Sequence, residues 1–257
     1  MANDNPDFNA LAQQFLHPQI KAIALLGSFA RGNAGAFSDV DLVRFSEEDA
    51  PNLPDNGSHL INGRLVVVSQ ATPEEVRRWF IEPEVAVNVI ADVRQGRPLY
   101  DPHNYFAHIQ QQARQFVWDD TMQQKANKWA SQQMVGWIEE VHKGLEGLHR
   151  NDIGRMLNAK HGLTWGLARV LIVQQGILLE GDNTFYEQLL AHMKPQAEWV
   201  KWWQIAFGVG TPTTLREQVI AGLKVYVETA VFLQNILTPT DNPLIQQTVD
   251  KIKKHQF

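Results

Sequence analysis

Short apolar runs alternate with turn-forming residues over the first hundred positions of the chain. Residues 20–26 form an apolar run that ends at Gly27, residues 39–45 alternate polar and apolar side chains, and residues 64–69 are rich in valine. Each run has the length and composition of a β-strand. Thr72, followed by a proline and two glutamates, has the pattern of a capped helix start. The first region is therefore predicted to mix strands and helices.

The strand pattern ends near residue 105, and apolar residues then recur every three or four positions. The first such stripe contains Met122, Ala126, Trp129, Gln133, Trp137, Val141, Leu145 and Leu148. This spacing predicts an amphipathic helix, and further helices are predicted over 152–179, 183–192, 199–207 and 214–237. The chain is thus expected to be α+β, with a mixed β-sheet domain over residues 1–105 and a C-terminal helical bundle over 106–257.

Composition narrows the classes of function. The 257 residues are 44% hydrophobic and 20% charged, as in an ordinary globular protein, and the net charge of −5 gives no general attraction to nucleic acid. The absence of cysteine excludes thiolate metal sites and cysteine nucleophiles. The polar N-terminus carries no apolar signal segment, and no apolar run is long enough for a membrane span. We expect a cytoplasmic protein without nucleic-acid or membrane partners.

A small-residue turn follows the first predicted strand. Glycine at position 27 lets backbone N–H groups approach a phosphate closely, a helix start adds favourable partial charge, and the hydroxyl of Ser28 is a further donor. By itself, however, such a turn is more often a simple chain reversal. It becomes informative only together with a second element.

That second element is a pair of acids two residues apart on the next predicted strand. Asp39 and Asp41 project from the same face of such a strand. Neighbouring like charges repel each other, and Mg²⁺, which prefers oxygen ligands, neutralises them. Exposed acids on an edge strand are the alternative interpretation of the pair alone.

The motifs GS at 27–28, ARG at 30–32 and SDVDL at 38–42 together resemble the signature of the polymerase-β-type nucleotidyltransferase superfamily. The order of the two domains is similar to that of the kanamycin-type, aminoglycoside and lincosamide nucleotidyltransferases. In this family the glycine-serine turn holds the triphosphate of the nucleotide, while the two acids bind Mg²⁺.

The resemblance implies roles for five residues of the first domain. Gly27 and Ser28 are expected to bind the nucleotide, and Asp39 and Asp41 to be catalytic metal ligands. Arg31 matches a less uniform position that contacts the nucleotide. Its alternative is a surface ion pair with a nearby acid.

The helical half carries a further match. In the antibiotic-modifying enzymes, a glutamate four residues before a lysine reaches the active site of the partner subunit, and Glu139 and Lys143 reproduce this spacing. The resemblance implies that Glu139 is the base toward the acceptor hydroxyl and that Lys143 binds phosphate. An ordinary solvated helix pair is the alternative, and Glu140 competes for the role of base. The third strand of that family carries another acid, whereas Val68 stands at the matching place.

The implied function is transfer of AMP from ATP, with Mg²⁺ as cofactor, to a hydroxyl of a small molecule such as an aminoglycoside or lincosamide antibiotic. Pyrophosphate is released, and a homodimer is expected. Two alternatives stay open at this point. One is an adenylyltransferase acting on a protein hydroxyl, and the other is a non-catalytic nucleotide-binding module that has lost the third acid.

Overall fold

The structure, a computed structural model, describes residues 6–47, 56–194 and 196–255. The chain divides into two compact units, of which the first contains residues 1–118 and 178–184 and the second contains 119–177 and 185–257. The first unit holds a mixed β-sheet with helices, and the second is helical. The predicted α+β class is therefore confirmed.

Within the described residues of the first unit, five strands form the sheet, in the order β3-β4-β2-β1-β5. Their bounds are β1 Ile20–Leu26, β2 Val40–Ser46, β3 Gly57–Ile61, β4 Arg64–Ala71 and β5 Arg97–Tyr100. Strands β2 and β4 are parallel, and the other neighbouring pairs are antiparallel. The sequence predicts β1, β2 and β4. It misses β3 and β5 because these outer strands are short and largely exposed, so their residues do not alternate in polarity.

Five α-helices accompany this sheet in the part of the first unit that the structure describes. Their bounds are α1 Phe8–Gln13, α2 Gly27–Arg31, α3 Pro73–Trp79, α4 Pro83–Gln95 and α5 Tyr105–Gln115. Helix α3 begins as predicted, because the Thr72 hydroxyl accepts from the Glu75 N–H while the Glu75 carboxylate accepts from the Thr72 N–H. A short 3₁₀ turn, Asp182–Thr184, also belongs to this unit.

The two faces of the sheet differ in what they pack against. One face contributes Ile23, Leu25, Leu42 and Val66 to a core that also contains Leu11 of α1. Helices α4 and α5 pack against the opposite face at β1. Side chains of β2 alternate between these faces, because successive residues of a strand point in opposite directions. This alternation decides which residues reach the pocket described below.

The first unit extends beyond the predicted boundary at residue 105. Arg94 of α4 donates to the carbonyl oxygens of Ala113 (2.8 Å) and Phe116 (3.0 Å), which ties α5 to α4. Later in the chain, the N–H of Leu179 donates to the carbonyl of Val87 at 2.7 Å. Segment 178–184 consequently belongs to the first unit, although in sequence it lies between two stretches of the second unit, 119–177 and 185–257.

The second unit contains eight α-helices among the described residues. Their bounds are α6 Asp120–Gly136, α7 Ile138–Arg150, α8 Ile153–His161, α9 Leu167–Gln174, α10 Phe185–Met193, α11 Ala197–Phe207, α12 Leu215–Phe232 and α13 Asn242–Lys254. A π-helical turn, Gly162–Gly166, connects α8 to α9. No helix in the part of the chain that the structure describes is long and apolar enough to cross a membrane.

The long stripe that predicts one helix is divided between two, α6 and α7. The break lies at Trp137, whose indole ring packs where Cβ atoms at Gly162 and Gly166 would be; a Cβ at Gly166 would lie 2.2 Å from that ring. The helix predicted over 152–179 is likewise interrupted, by the π-helical turn, and its last segment ends at Gln174. Packing of one large ring against small residues therefore overrides the uniform spacing in the sequence.

Candidate active site

The turn between β1 and α2 lies directly against the side chain of Asp41. Gly27 begins this turn with a φ of +65°, and a Cβ there would lie 2.0 Å from Oδ2 of Asp41. Leu26 pairs with Asp41 across the two strands, which places the carboxylate beside the turn backbone. Position 27 therefore requires glycine both for its backbone conformation and for this close approach. Because α2 has only five residues, its dipole contributes less than the sequence suggests.

The two predicted metal ligands line the same pocket. Asp39 lies just before β2 and Asp41 is its second residue, while Val40 and Leu42 point into the core on the other face. Burial, followed by the negative charge of Asp39, raises the pKa of Asp41 to about 6. A partly buried carboxylate next to a second one is a favourable place for a cation.

The loop that leads into Asp39 is held by a tight turn. The N–H of Gly35 donates to Oγ of Ser38 at 2.9 Å, and the N–H of Ser38 donates to the carbonyl of Gly35 at 3.2 Å. Arg64 of β4 donates to the Ser38 carbonyl at 3.4 Å. The ring of Phe37, in the same turn, is fully exposed at the rim of the pocket. These contacts fix the backbone immediately before the first acid.

The opposite wall of the pocket is built around Arg31. Its guanidinium forms an ion pair with Asp92 of α4, and Gly181 and Asp182 complete this wall. Burial raises the pKa of Asp92, and the charge of Arg31 opposes that shift. The pocket has a volume of about 640 Å³, and it lies entirely within the first unit.

Residues 9–105 match the family model described as nucleotidyltransferase domain. The chain contains a nucleotidyltransferase domain. The predicted membership of the polymerase-β-type superfamily and the predicted enzyme class are thereby confirmed. The matched segment includes the Gly27 turn and both strand acids, whereas the wall segment 178–184 lies outside it.

Other comparisons add little to this assignment. The curated proteins contain no match to the chain. Among solved structures, a nucleotidyltransferase-like protein from Exiguobacterium sibiricum 255-15 is 15% identical, covering 96% of this chain and 79% of that one with a TM-score of 0.49. At this level of similarity the likeness carries no argument about the site.

Val68, the residue that matches the third acid of the family in sequence, does not face the pocket. Val68 is 1% exposed and packs in the core, on the face of the sheet opposite to Asp41. The residue of β4 that lines the pocket is Ser69, which pairs in register with Val43 of β2. The β4 residues on the same face as Asp41 are Val67, which pairs in register with Asp41, and Ser69, and neither is an acid. The structure thus places Val68 away from the pocket, because successive residues of a strand point to opposite faces.

Glu139 and Lys143 lie on α7 in the second unit and line a different cavity of about 660 Å³. Nζ of Lys143 lies 2.9 Å from Oε1 of Glu139 and 2.7 Å from Oε1 of Glu140. Hydrogen bonds to these two carboxylates, first Glu140 and then Glu139, raise the pKa of Lys143. The side chain of Glu139 is 75% exposed. The structure thus pairs the two residues with each other, and their implied catalytic roles stay predictions.

The residues that surround Arg31 in the pocket are not predicted from the sequence. Asn88 and Asp92 are four residues apart on the polar face of α4, and both line the pocket. A helical pattern beginning at Pro83 was the available signal for these two residues. The Gly-Asp-Asn stretch at 181–183 indicates a turn, but no local pattern indicates that this turn returns to the first domain.

Proposed function

We propose that this protein transfers AMP from ATP, in the presence of Mg²⁺, to a hydroxyl group of a small molecule and releases pyrophosphate. The observation that carries the proposal is the convergence of Gly27, Ser28, Arg31, Asp39 and Asp41 on one pocket of the nucleotidyltransferase domain. These are the residues whose family roles are triphosphate and metal binding.

The donor set of the pocket fits Mg²⁺. No cluster of three or more His, Asp or Glu side chains positioned for a metal occurs within residues 6–47, 56–194 and 196–255. Two carboxylates nevertheless suffice, because Mg²⁺ in nucleotide enzymes is commonly held by one or two carboxylates together with substrate phosphates and water. Asp39 and Asp41 would hold the ion, which supplies charge neutralisation at the phosphates. The raised pKa of Asp41 reflects the electrostatic cost that such an ion would relieve.

In the proposed reaction, the oxygen of the acceptor attacks the α-phosphorus while the bond to the β-phosphate oxygen breaks. The backbone N–H groups of the Gly27 turn, the Ser28 hydroxyl and the Arg31 guanidinium hold the triphosphate, so that pyrophosphate leaves in line. Positioned charges of this kind provide most of the acceleration in phosphoryl-type transfers.

Glu139 is the proposed base that accepts the proton of the acceptor hydroxyl, and Lys143 is the residue proposed to contact phosphate. The i, i+4 spacing on α7 and the exposed carboxylate of Glu139 support this part of the proposal. The same proposal includes a homodimer, in which Glu139 acts either in its own subunit or in that of the partner. General-base assistance contributes about 10²–10⁴-fold to the rate of such reactions.

A cationic polyol of the aminoglycoside or lincosamide type is the proposed acceptor. The supporting observation is that four carboxylates line the pocket, from Asp39, Asp41, Asp92 and Asp182, while Arg31 is the cation among its described lining residues. Asp39 and Asp41 are assigned to Mg²⁺ and Asp92 pairs with Arg31, so Asp182 is the carboxylate that would attract an ammonium group of the acceptor.

The test measures pyrophosphate release from each Mg²⁺-nucleoside triphosphate against a panel of aminoglycosides and lincosamides. Asp39→Asn serves as the inactive comparison, and Asp250→Asn, an exposed acid on α13, is the matched control that is expected to keep full activity. Acceptor-dependent release that is absent from Asp39→Asn supports the proposal. Retained ATP binding without release for any acceptor would favour a protein acceptor or a non-catalytic module.

A further inference from the structure

Segment 178–184 is a structural part of the nucleotide pocket, although it lies outside the matched family segment. The Leu179 side chain is 5% exposed, and its N–H donates to the Val87 carbonyl of α4 at 2.7 Å. Thr184 closes the segment by donating from Oγ1 to the carbonyl of Gly181 at 2.8 Å. One end of the segment is thus hydrogen-bonded to α4, and the other end is held by a hydrogen bond within the segment.

Gly181 is the point at which this segment meets the pocket. Its φ is +141°, a conformation that side chains rarely adopt. A Cβ at this position would lie 2.8 Å from Nη2 of Arg31 and 3.2 Å from its Cζ. The absence of a side chain therefore lets the backbone close directly onto the guanidinium.

The guanidinium of Arg31 is held on a second side by Asp92, with which it forms an ion pair. The Arg31 side chain is 13% exposed, so its rotamer is confined by the surrounding atoms. Its Nε is buried and has no hydrogen-bond partner among the described residues. The burial of Nε leaves the terminal nitrogens of the guanidinium as the donors that an anionic ligand in the pocket would meet.

We propose that Gly181 is a positioning residue for the nucleotide, because it clamps Arg31 against Asp92 in the orientation that meets the triphosphate. The inference rests on the proposed function, since it assigns Arg31 to the phosphates. It adds that this contact depends on a segment from the C-terminal half of the chain. The ligand class recognised by the clamp is a linear polyphosphate, independent of the base attached to it.

Inorganic tripolyphosphate with Mg²⁺ is a suitable probe, because it presents the phosphates without a base or an acceptor. We would measure its affinity by calorimetry for the full chain, Arg31→Ala, Gly181→Ala and the double variant. Gly57→Ala is the matched control, since Gly57 has a nearly identical φ of +143° but open space around its Cβ position.

Gly181→Ala and Arg31→Ala are each expected to weaken tripolyphosphate binding about tenfold or more, as for the loss of a charge-assisted hydrogen bond. The double variant should bind no more weakly than Arg31→Ala alone, because Gly181 acts through Arg31. Gly57→Ala should bind like the unchanged chain. A merely structural role of Gly181 would instead lower affinity equally with and without Arg31.

The outcomes separate the two proposals. If the unchanged chain binds neither tripolyphosphate nor ATP, the proposed function itself fails. If it binds both, and either Gly181→Ala or Arg31→Ala binds as tightly as the unchanged chain, the clamp is overturned while nucleotide transfer stands. Should Gly181→Ala not fold, Asp92→Asn probes the other side of the clamp. Unchanged tripolyphosphate affinity in Asp92→Asn would overturn the proposal equally.

Discussion

Two groups of charged side chains, one in each unit, contrast sharply in how their charges are balanced. In the pocket of the first unit, four carboxylates accompany Arg31, which already pairs with Asp92. On α7 of the second unit, Lys143 lies between Glu139, which is exposed, and Glu140, which is largely buried. The pocket lining carries three more negative than positive charges, and the α7 group carries one more. The larger excess of like charge in a cleft is the stronger mark of a candidate ligand site.

The proposed role of the pocket therefore rests on its geometry and charge as well as on the family resemblance, whereas the proposed role of the α7 group rests on the resemblance. Variants that remove charge from each group can separate these two situations. The expected effects run from the loss of a metal ligand to a modest dependence of stability on pH.

Asp41→Asn should have the largest effect, a loss of about 10³-fold or more in the rate of nucleotidyl transfer, because preorganised charge at the phosphates dominates such catalysis. Without a cation the variant should be at least as stable as the unchanged chain, since the carboxylate that it removes is partly buried beside Asp39. Pyrophosphate release and thermal unfolding measure the two effects. Full activity of Asp41→Asn would remove the metal site from the proposal.

Gly27→Ala tests the same site through the backbone. A Cβ 2.0 Å from Oδ2 of Asp41 must displace that carboxylate, and a displacement of about 1 Å at a catalytic group can cost about 10²-fold in rate. The positive φ adds a cost of about 1–2 kcal/mol in the free energy of unfolding.

Gly63→Ala is the control for this variant, because Gly63 lies outside the pocket and has a φ of +75° with no atom near its Cβ position. It should share the loss of stability but keep its activity. Equal losses of activity in the two alanine variants would show that backbone strain, and not the Asp41 contact, limits the reaction.

Glu139→Gln tests whether the charged group of Glu139, Glu140 and Lys143 on α7 takes part in the chemistry. A base role predicts a fall in kcat of about 10²-fold with little change in the KM for ATP. The neighbouring Glu140→Gln, which also removes a partner of Lys143, should reduce kcat far less. If instead both variants are fully active, α7 carries an ordinary surface ion pair and the base must be sought elsewhere.

The same contrast explains how far sequence reasoning reaches. Gly27, Ser28, Asp39 and Asp41 are found because two adjacent strands and their turns place them together within a short stretch of chain. Arg31 is predicted from the sequence, but its contact with Gly181 is not, because Gly181 is 150 positions away and only the tertiary fold brings it close. Local periodicity holds no information about such a return.

Errors in the predicted elements have equally local causes. The face of Val68 is not predicted, because a run of three valines has no alternation to fix which side chain faces the core and which faces the pocket. The helix predicted through Trp137 fails because the spacing of apolar residues does not reveal where a large ring must be accommodated by Gly162 and Gly166. Both errors concern which face a residue occupies, and neither affects the class of the element.

The smallest predicted effect is the pH dependence of stability. Asp41 has a pKa of about 6 in the folded protein, above its ordinary value of 3.8, so its protonated form is favoured by folding. The stability of the folded protein is therefore unaffected by Asp41 below about pH 4, and it falls as Asp41 ionises while the pH rises through about 6. Asp41→Asn has no carboxylate at this position and does not lose stability in this way. With a metal chelator present, its melting temperature should exceed that of the unchanged chain by a few degrees above pH 6, and the difference should shrink toward pH 4.

Added Mg²⁺ should reverse the difference above pH 6, since a cation bound to the ionised carboxylate stabilises only the chain that retains Asp41. Melting curves from about pH 4 to about pH 8, with chelator and with Mg²⁺, measure both effects. Glu139→Gln should show neither of them, because Glu139 is exposed and already paired with Lys143. A melting difference that does not change with pH would mean that Asp41 is not held against Gly27 as described, and the electrostatic contrast between pocket and α7 would lose its basis.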